Sequence, residues 1–326
     1  MSIKNTILGV LIVGLFLFTS CAQQQTTTTG KTFIGGTQGL AVEFLQGAPP
    51  DNILSGGQQP FSILVKIENK GEYPASGYIM LGGIDPSSLG LEEKDLEIQF
   101  NDLKEVKLSS TGAIMPGGIT QIGWQGLTYN QAIPSGTMNV PITVTSCYDY
   151  GTRAIVLACI SDDPYDTSTT ASCKVNEEKQ VSSSGAPVQV VSAQEMAGGM
   201  QNDQYTYFLT FEIRNMGTGT VFDKNIEECD TTTKGLKDMN KVKVTVQPLS
   251  KGVEVKCFNE DNPGESSNGI VILTQGQEGG ESATVMCQLT AKPSGSYQVP
   301  VEITLEYKYS EQITKNVLIG ANPTTS

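Results

Sequence analysis

The chain has no histidine, a single tryptophan and no Cys-x-x-Cys. Each absence removes chemistry. Without histidine there is no Ser-His-Asp triad, no Cys-His dyad, no His-ligated zinc and no HExxH protease helix. Without Cys-x-x-Cys there is no zinc knuckle and no thioredoxin-type redox pair. Positive charge is scarce: 21 Lys and Arg stand against 34 Asp and Glu, a net charge of −13. Such a chain has no basic field with which to bind nucleic acid. The one Asn-x-Ser/Thr sequence, Asn322-Pro323-Thr324, is disqualified as a glycosylation acceptor by its proline. Helix signals are also few. Only residues 91–108 offer a short helix, and the alternation Leu96-Ile98-Phe100 inside them argues for a strand.

What is present points to an exported, strand-rich protein. A length of 326 residues suggests two domains behind a processing segment. The 35 glycines, with frequent Thr and Ser, favour strands and turns. Residues 1–21 read as an export signal: Lys4, then an apolar run over 7–18, then Thr19-Ser20-Cys21. The run is shorter than the ~20 residues of a membrane-spanning helix and suits a signal-peptide core. Small residues before a cysteine resemble a lipobox, which makes Cys21 the expected lipidation site and the membrane the expected partner through that lipid. An ordinary cleaved signal and an uncleaved anchor are the alternatives, and all three place the body outside the cytoplasm. Residues 22–36, with Gln23 to Gln25 and Thr26 to Thr29, read as a polar tether. Gly30-Lys31-Thr32 is half a phosphate-binding loop and lacks the first glycine and the preceding strand that such a loop needs.

The body repeats itself. Residues 61–71 alternate apolar and polar and end in Asn69-Lys70-Gly71, and residues 207–217 do the same and end in Asn215-Met216-Gly217. Alternation with period two predicts a strand with one buried face: Phe61, Ile63, Val65 and Ile67 in one, Tyr207, Leu209, Phe211 and Ile213 in the other. A second matched pair contains Val140-Pro141 and Val299-Pro300, predicting strands that begin at proline or lie on an edge. Both continue to a Tyr-x-Tyr, Tyr148 and Tyr150, then Tyr307 and Tyr309, each expected near a hairpin end. Gly117-Gly118 before 119–124 parallels Gly279-Gly280 before 282–287, so Gln125 aligns with Cys287. The expected fold is all-β: two tandem immunoglobulin-like β-sandwich domains from an internal duplication. Domain 1 spans 37–175, a linker 176–186, domain 2 187–321 and a tail 322–326. Residues 40–45 and 187–191 would be the first strands of the two copies, and 229–277 an insert in the second.

A strand ending in Asn-x-Gly, in tandem exported modules, resembles the immunoglobulin-like domains of archaeal and bacterial surface proteins, the CARDB-type cell-adhesion-related modules among them. The resemblance covers 61–71 and 207–217. It implies envelope architecture or adhesion and no catalytic residue.

With Cys21 set aside, Cys147, Cys159, Cys173, Cys229, Cys257 and Cys287 remain. An even set in an exported chain predicts disulfides. Cys257 with Cys287, in neighbouring strands of the second copy, is the first expected pair, with Cα atoms about 4.4–6.8 Å apart. Cys159 with Cys173, flanking a polar loop, is the second. Cys147 with Cys159 is disfavoured, because a turn near Gly151-Thr152 puts Cys147 opposite residue 156. Three cysteines per copy cannot pair internally, so either one bridge leaves its copy or two thiols stay free.

Other candidates have two readings each. Asp162, Asp163 and Asp166 gather carboxylates as calcium ligands do, and so do residues 259–265. Neither loop has the Asp-x-Asp-x-Asp-Gly spacing, and solvated turns explain both. Tyr148, Tyr150, Tyr307 and Tyr309 place rings on one strand face, either to stack on a sugar or partner protein or to pack across strands over the core edge. Trp124 is expected in the core. The functional expectation is a cell-envelope-anchored, non-enzymatic structural or adhesion protein without a cofactor, contacting other envelope proteins or glycans. The alternatives are a ligand- or glycan-binding surface lipoprotein and a hydrolase built on paired carboxylates.

Overall fold

Alternation of apolar and polar residues builds the longest strands. The computed structural model describes residues 32–166, 172–232, 234–258, 267–276 and 280–321. The first half carries β1 (Leu40–Phe44), β2 (Asn52–Leu54), β3 (Phe61–Asn69), β4 (Ala75–Gly82), β5 (Glu97–Leu103), β6 (Lys107–Leu108), β7 (Ile114–Met115), β8 (Ile119–Leu127) and β9 (Thr137–Ile160). The second half begins with β10 (Glu177–Glu178), β11 (Val181–Ser183), β12 (Val188–Gln201), β13 (Gln204–Asn215) and β14 (Thr220–Phe222). It continues with β15 (Lys241–Pro248), β16 (Val253–Phe258), β17 (Asn268–Ile272), β18 (Thr274–Gln275), β19 (Glu281–Ala291) and β20 (Tyr297–Gly320). Among the described residues the only helical elements are three short 3-10 turns, Pro86–Leu89, Glu93–Asp95 and Leu236–Asp238. The fold is all-β. The stretch 91–108 resolves into the Glu93–Asp95 turn followed by β5 and β6.

Three sheets hold the core. β1, β3 and β8 form a three-stranded sheet. β10, β12, β13, β19 and β16 form a second, with β18 also on β19. The third is nine-stranded, in the order β17-β15-β20-β9-β4-β5, with β11 on β9 and with β2 and β14 on β20. In β3, Phe61, Ile63, Val65 and Ile67 are buried, and in β13, Tyr207, Leu209, Phe211 and Ile213 are buried, both as the alternation requires. β1 contacts β20 and β8 contacts β5, so the three-stranded sheet covers one half of the large sheet. β12 contacts β9 and β16 contacts β15, so the other small sheet covers the second half.

The large sheet is organised by β9 and β20. Each is 24 residues long, and they pair antiparallel along their whole length. At about 3.3 Å per residue this ladder is roughly 80 Å long. Its midpoint is the pair Asp149 and Lys308, joined by an ion pair of 2.8 Å. On one side of that midpoint β9 carries β4 along residues 143–149, and β20, past its pairing with β14 at residues 308–310, takes the short parallel strand β2 at residues 318–320. On the other side β9 takes β11 at residues 154–156, and β20 carries β15 along residues 301–306. Each half of the chain therefore lends the end of its long strand to the other half. The final strand of the chain completes the sheet of the first half.

This arrangement corrects three sequence expectations. No turn occurs at Gly151-Thr152, because β9 runs straight through both residues. Gly151 serves close packing instead: a Cβ there would meet the Tyr73 ring at 2.6 Å and the Leu305 carbonyl oxygen at 2.9 Å. Pro141 and Pro300 lie within long strands rather than opening them. They are tolerated because the neighbouring ladders have just ended, β4 at Gly82 opposite Thr143 and β15 at Pro248 opposite Val301. The expected linker 176–186 contains β10 and β11, and its Lys179, Ser184 and Ala186 are buried. The last tether residues are also fixed. The Glu72 carboxylate accepts the backbone N–H groups of Ile34 (2.9 Å), Gly35 (2.9 Å) and Gly185 (2.7 Å).

Candidate functional site

Chemistry-bearing side chains concentrate where the two halves cross. In β9 and β20, Tyr148 lies opposite Tyr309 and Tyr150 opposite Tyr307, on either side of the Asp149–Lys308 pair. The four rings contact edge to face or tilted, with centroids 5.6–6.4 Å apart. All four are no more than 2% exposed. Their burial corrects the partner-binding expectation: no sugar or partner protein reaches these rings.

Each hydroxyl is committed to backbone or amide partners, and the Tyr307 hydroxyl also shares a 3.2 Å hydrogen bond with Thr152 Oγ1. The Leu40 N–H donates to the Tyr148 hydroxyl at 3.3 Å, and the Val188 N–H donates to the Tyr307 hydroxyl at the same distance. Tyr150 donates to Asn69 Oδ1 at 3.0 Å, and Tyr309 donates to Asn215 Oδ1 at 3.2 Å. The Asn69 amide donates to the Tyr73 carbonyl at 2.7 Å, and the Asn215 amide to the Gly219 carbonyl at 3.0 Å. Each Asn side-chain oxygen also accepts the N–H two residues on, Gly71 at 3.1 Å and Gly217 at 3.2 Å. The Asn-x-Gly therefore does more than turn the chain. Its amide ties the end of a strand to the tyrosine of a long strand. Burial holds all four phenols above their ordinary pKa, so they stay neutral and act as hydrogen-bonding posts rather than as bases.

The six described cysteines form three bridges. Cys257–Cys287 and Cys159–Cys173 pair as expected. Cys257 lies directly opposite Cys287, and their Cα separation of 3.8 Å is shorter than the expected range. The third bridge, Cys147–Cys229, spans a sequence separation of 82 and joins the first half to the second. Three disulfides place this fold in an oxidising, extracytoplasmic environment. Cys21 lies outside the described residues.

A buried ion pair is the feature that sequence reasoning missed. Lys179 Nζ lies 3.0 Å from Glu195 Oε2, and both side chains are buried. The same carboxylate accepts the Cys159 N–H at 2.8 Å, while its other oxygen has no partner among the described residues. Burial pushes the Glu195 carboxyl up to about 7, against the pull of the Cys159 N–H and Lys179. Plain alternation hides it: Glu195 joins the inward face of Val188 and Val190 only through the register shift that follows Val190, which brings Ala193 and Glu195 inward.

The carboxylates of Asp162 and Asp163 shape turns. Asp162 accepts the Gly295 N–H at 2.9 Å and Asp163 accepts the Tyr165 N–H at 3.3 Å. Asp166 closes a backbone turn onto Asp163. Among the described residues no three His, Cys, Asp or Glu side chains gather as a metal site would require. The second acidic loop, 259–265, lies outside the described residues.

The concave surface is shallow. A groove of about 300 Å³ beside the Cys147–Cys229 bridge is lined by Tyr78, Met80, Thr145, Glu228 and Asp230. It adjoins a trough of about 630 Å³ that shares Met80 and Glu228 and adds Glu93, Lys94, Glu97 and Gln99. The lining brings together carboxylates, the Tyr78 phenol, the Met80 thioether and the Gln99 amide. No family model matches the chain, and no curated protein matches its sequence, so its function is read from the geometry of the fold.

Proposed function

We propose that this chain is an envelope-anchored, non-enzymatic structural or adhesion module, made by internal duplication of an immunoglobulin-like β-sandwich. The observation that carries the reading is the interlock. Two long strands cross at Asp149–Lys308, and each completes the sheet of the opposite half. Matched Asn–Tyr contacts in the two halves support the duplication. The Cys147–Cys229 bridge adds a covalent tie between halves. Such a body resists pulling apart. Its polar atoms near the crossing are committed to holding strands together, which leaves no poised acid, base or nucleophile there. The lipobox-like Thr19-Ser20-Cys21 and the polar residues after it support attachment through lipid at Cys21.

The test is fractionation of the source cells together with intact-mass analysis. The native protein should stay with membranes through a high-salt wash, leave with detergent, carry acyl mass on Cys21 and be cleaved by protease added to whole cells. The Cys21→Ala chain should appear in the medium. A native chain that is cytoplasmic, or released by salt alone, overturns the reading.

A second reading, glycan or ligand binding, is favoured by one observation, the trough that joins Tyr78 and Met80 to Glu228 and Gln99. Stacking on Tyr78 and hydrogen bonding to the carboxylates would suit a neutral sugar. Screening against a panel of glycans decides it: saturable binding lost in Tyr78→Ala supports this reading, and no binding removes it.

A further inference from the structure

The proposed structural role raises the question of what the body joins to, and the first half has an open side. β8 ends the three-stranded sheet. It pairs with β3 on one side only, and among the described residues its other side has no backbone hydrogen bond. The corresponding strand of the second half is β19, judged by the alignment of Gln125 with Cys287. β19 is covered on that side by β16, which is bridged to it by Cys257–Cys287. β8 is the longest of the strands that end the three larger sheets.

Edge strands usually carry charge or proline that discourages pairing with another chain. The outermost strand of the second half follows that rule, with Glu254 and Lys256 in β16. β8 does not. No charged residue occurs anywhere between Lys107 and Asp149, a stretch that includes all of β8. Its outward residues are Ile119, Gln121 and Gly123, opposite Glu68, Lys66 and Leu64 of β3. Ile119 is 56% exposed, and the nearby Ile114 and Met115 are exposed at 61% and 54%. Pairing from Ile119 to Trp124 is unbroken, so a six-residue edge faces outward, with positive φ at Gly123 within it and at Gly126 beyond it.

We infer that the β8 edge is a self-association surface, on which a second copy of this chain adds its own β8 antiparallel. The partner is argued from charge and symmetry. A chain with a net charge of −13 repels its copies over most of its surface, and the uncharged β8 strip is a place where two copies meet without that repulsion. Antiparallel pairing about a twofold axis lets one edge complement itself, hydrogen bond for hydrogen bond. With the axis at Gln121, Gln121 of one copy faces Gln121 of the other, residues 119–123 pair across it, and two three-stranded sheets become one of six strands. This inference rests on the structural-module reading and fails separately from it: a chain that is lipid-anchored but never self-associates defeats only the β8 contact.

The experiment is sedimentation of the full chain in detergent over a range of concentrations, with Gln121→Glu, Gln121→Lys and an equal mixture of the two. Gln121 is exposed, and circular dichroism checks that both variants fold. The wild type should form a reversible dimer. Each variant alone places like charges opposite each other and should raise the dissociation constant about tenfold or more. The mixture places opposite charges together and should return to within about threefold of wild type. A wild type monomeric at every concentration would overturn the inference and leave the edge to a strand from a different protein. A dimer insensitive to both charges, or a mixture that stays dissociated, would overturn it as well.

Discussion

β8 and β19 occupy matching places in the two halves, yet one edge is bare and the other is covered. β19 is flanked by β13 and by β16, with a disulfide across the outer pair. Among the described residues, β8 is flanked by β3 alone. Near the crossing the halves agree closely: Leu40 and Val188 donate to Tyr148 and Tyr307, and Asn69 and Asn215 accept from Tyr150 and Tyr309. The contrast teaches where the fold tolerates change. Buried amides and phenols must keep their partners, because an orphaned buried polar group costs about 1–3 kcal/mol. An edge strand has no such obligation, so one half can add a strand and a disulfide while the other remains open.

The comparison breaks most severely if the lent strand is removed. A chain ending at Lys308 loses residues 309–320, including buried Tyr309, Val317 and Ile319. The account expects amides of β3, β4 and β8 to lose their hydrogen-exchange protection, while β12, β13 and β19 retain more of theirs. Protection unchanged in β3 would mean that the first half stands without its borrowed strand.

Removing the bridge between halves should come next. The double change Cys147→Ser and Cys229→Ser releases a link across 82 residues and should cost about 4–5 kcal/mol on the loop-entropy model. Cys257→Ser with Cys287→Ser releases a link across 30 residues and should cost about 3–4 kcal/mol, chiefly in the second half. Denaturant melts of the two variants measure both, and non-reducing peptide mapping checks the pairing. A larger loss from the second variant would place the main covalent constraint inside one half rather than between them.

Asn69→Ala and Asn215→Ala sharpen the similarity near the crossing. Each removes the acceptor of a tyrosine hydroxyl and of a backbone N–H, and should cost about 2–3 kcal/mol. Asn69 is fully buried and Asn215 is not, so Asn69→Ala should be the larger. Equal and negligible losses would show that the matched geometry has no energetic weight.

The smallest expected effect is a pH dependence confined to the second half's β12. Glu195 titrates near 7 when folded, against an ordinary 4.5, so the folded state holds its proton more tightly. The stability from that proton is fully present below about 4.5 and is lost as pH rises through about 7. The change should amount to about 1–3 kcal/mol, and Glu195→Gln should flatten it. A wild type and a Gln variant with parallel stability profiles between these values would show that Glu195 does not titrate in that range.

Much of this was legible in local pattern. Period-two alternation marked β3 and β13, because a half-buried strand leaves that signature in any context, and the expected first strands 40–45 and 187–191 fall on β1 and the start of β12. Trp124 is buried as expected, and its indole N–H donates to the Asp95 carbonyl at 2.7 Å. Two disulfides followed from strand and loop placement. The crossing was not legible. Gly151 looks like a turn residue in sequence, and only the nearby Tyr73 ring explains why glycine is required inside a straight strand. The two tyrosine pairs read as cross-strand packing first and as a binding surface second, and their place deep between the halves was not legible, since burial of one strand by another 159 positions away leaves no mark in local composition. Lys179 looked like part of a charged linker because its partner Glu195 lies on a different strand.

Differential scanning calorimetry of the folded chain tests the interlock most directly. If the halves depend on each other's long strands, they should unfold in one transition whose calorimetric and van 't Hoff enthalpies agree. Two separated transitions, one for each half, would contradict the account.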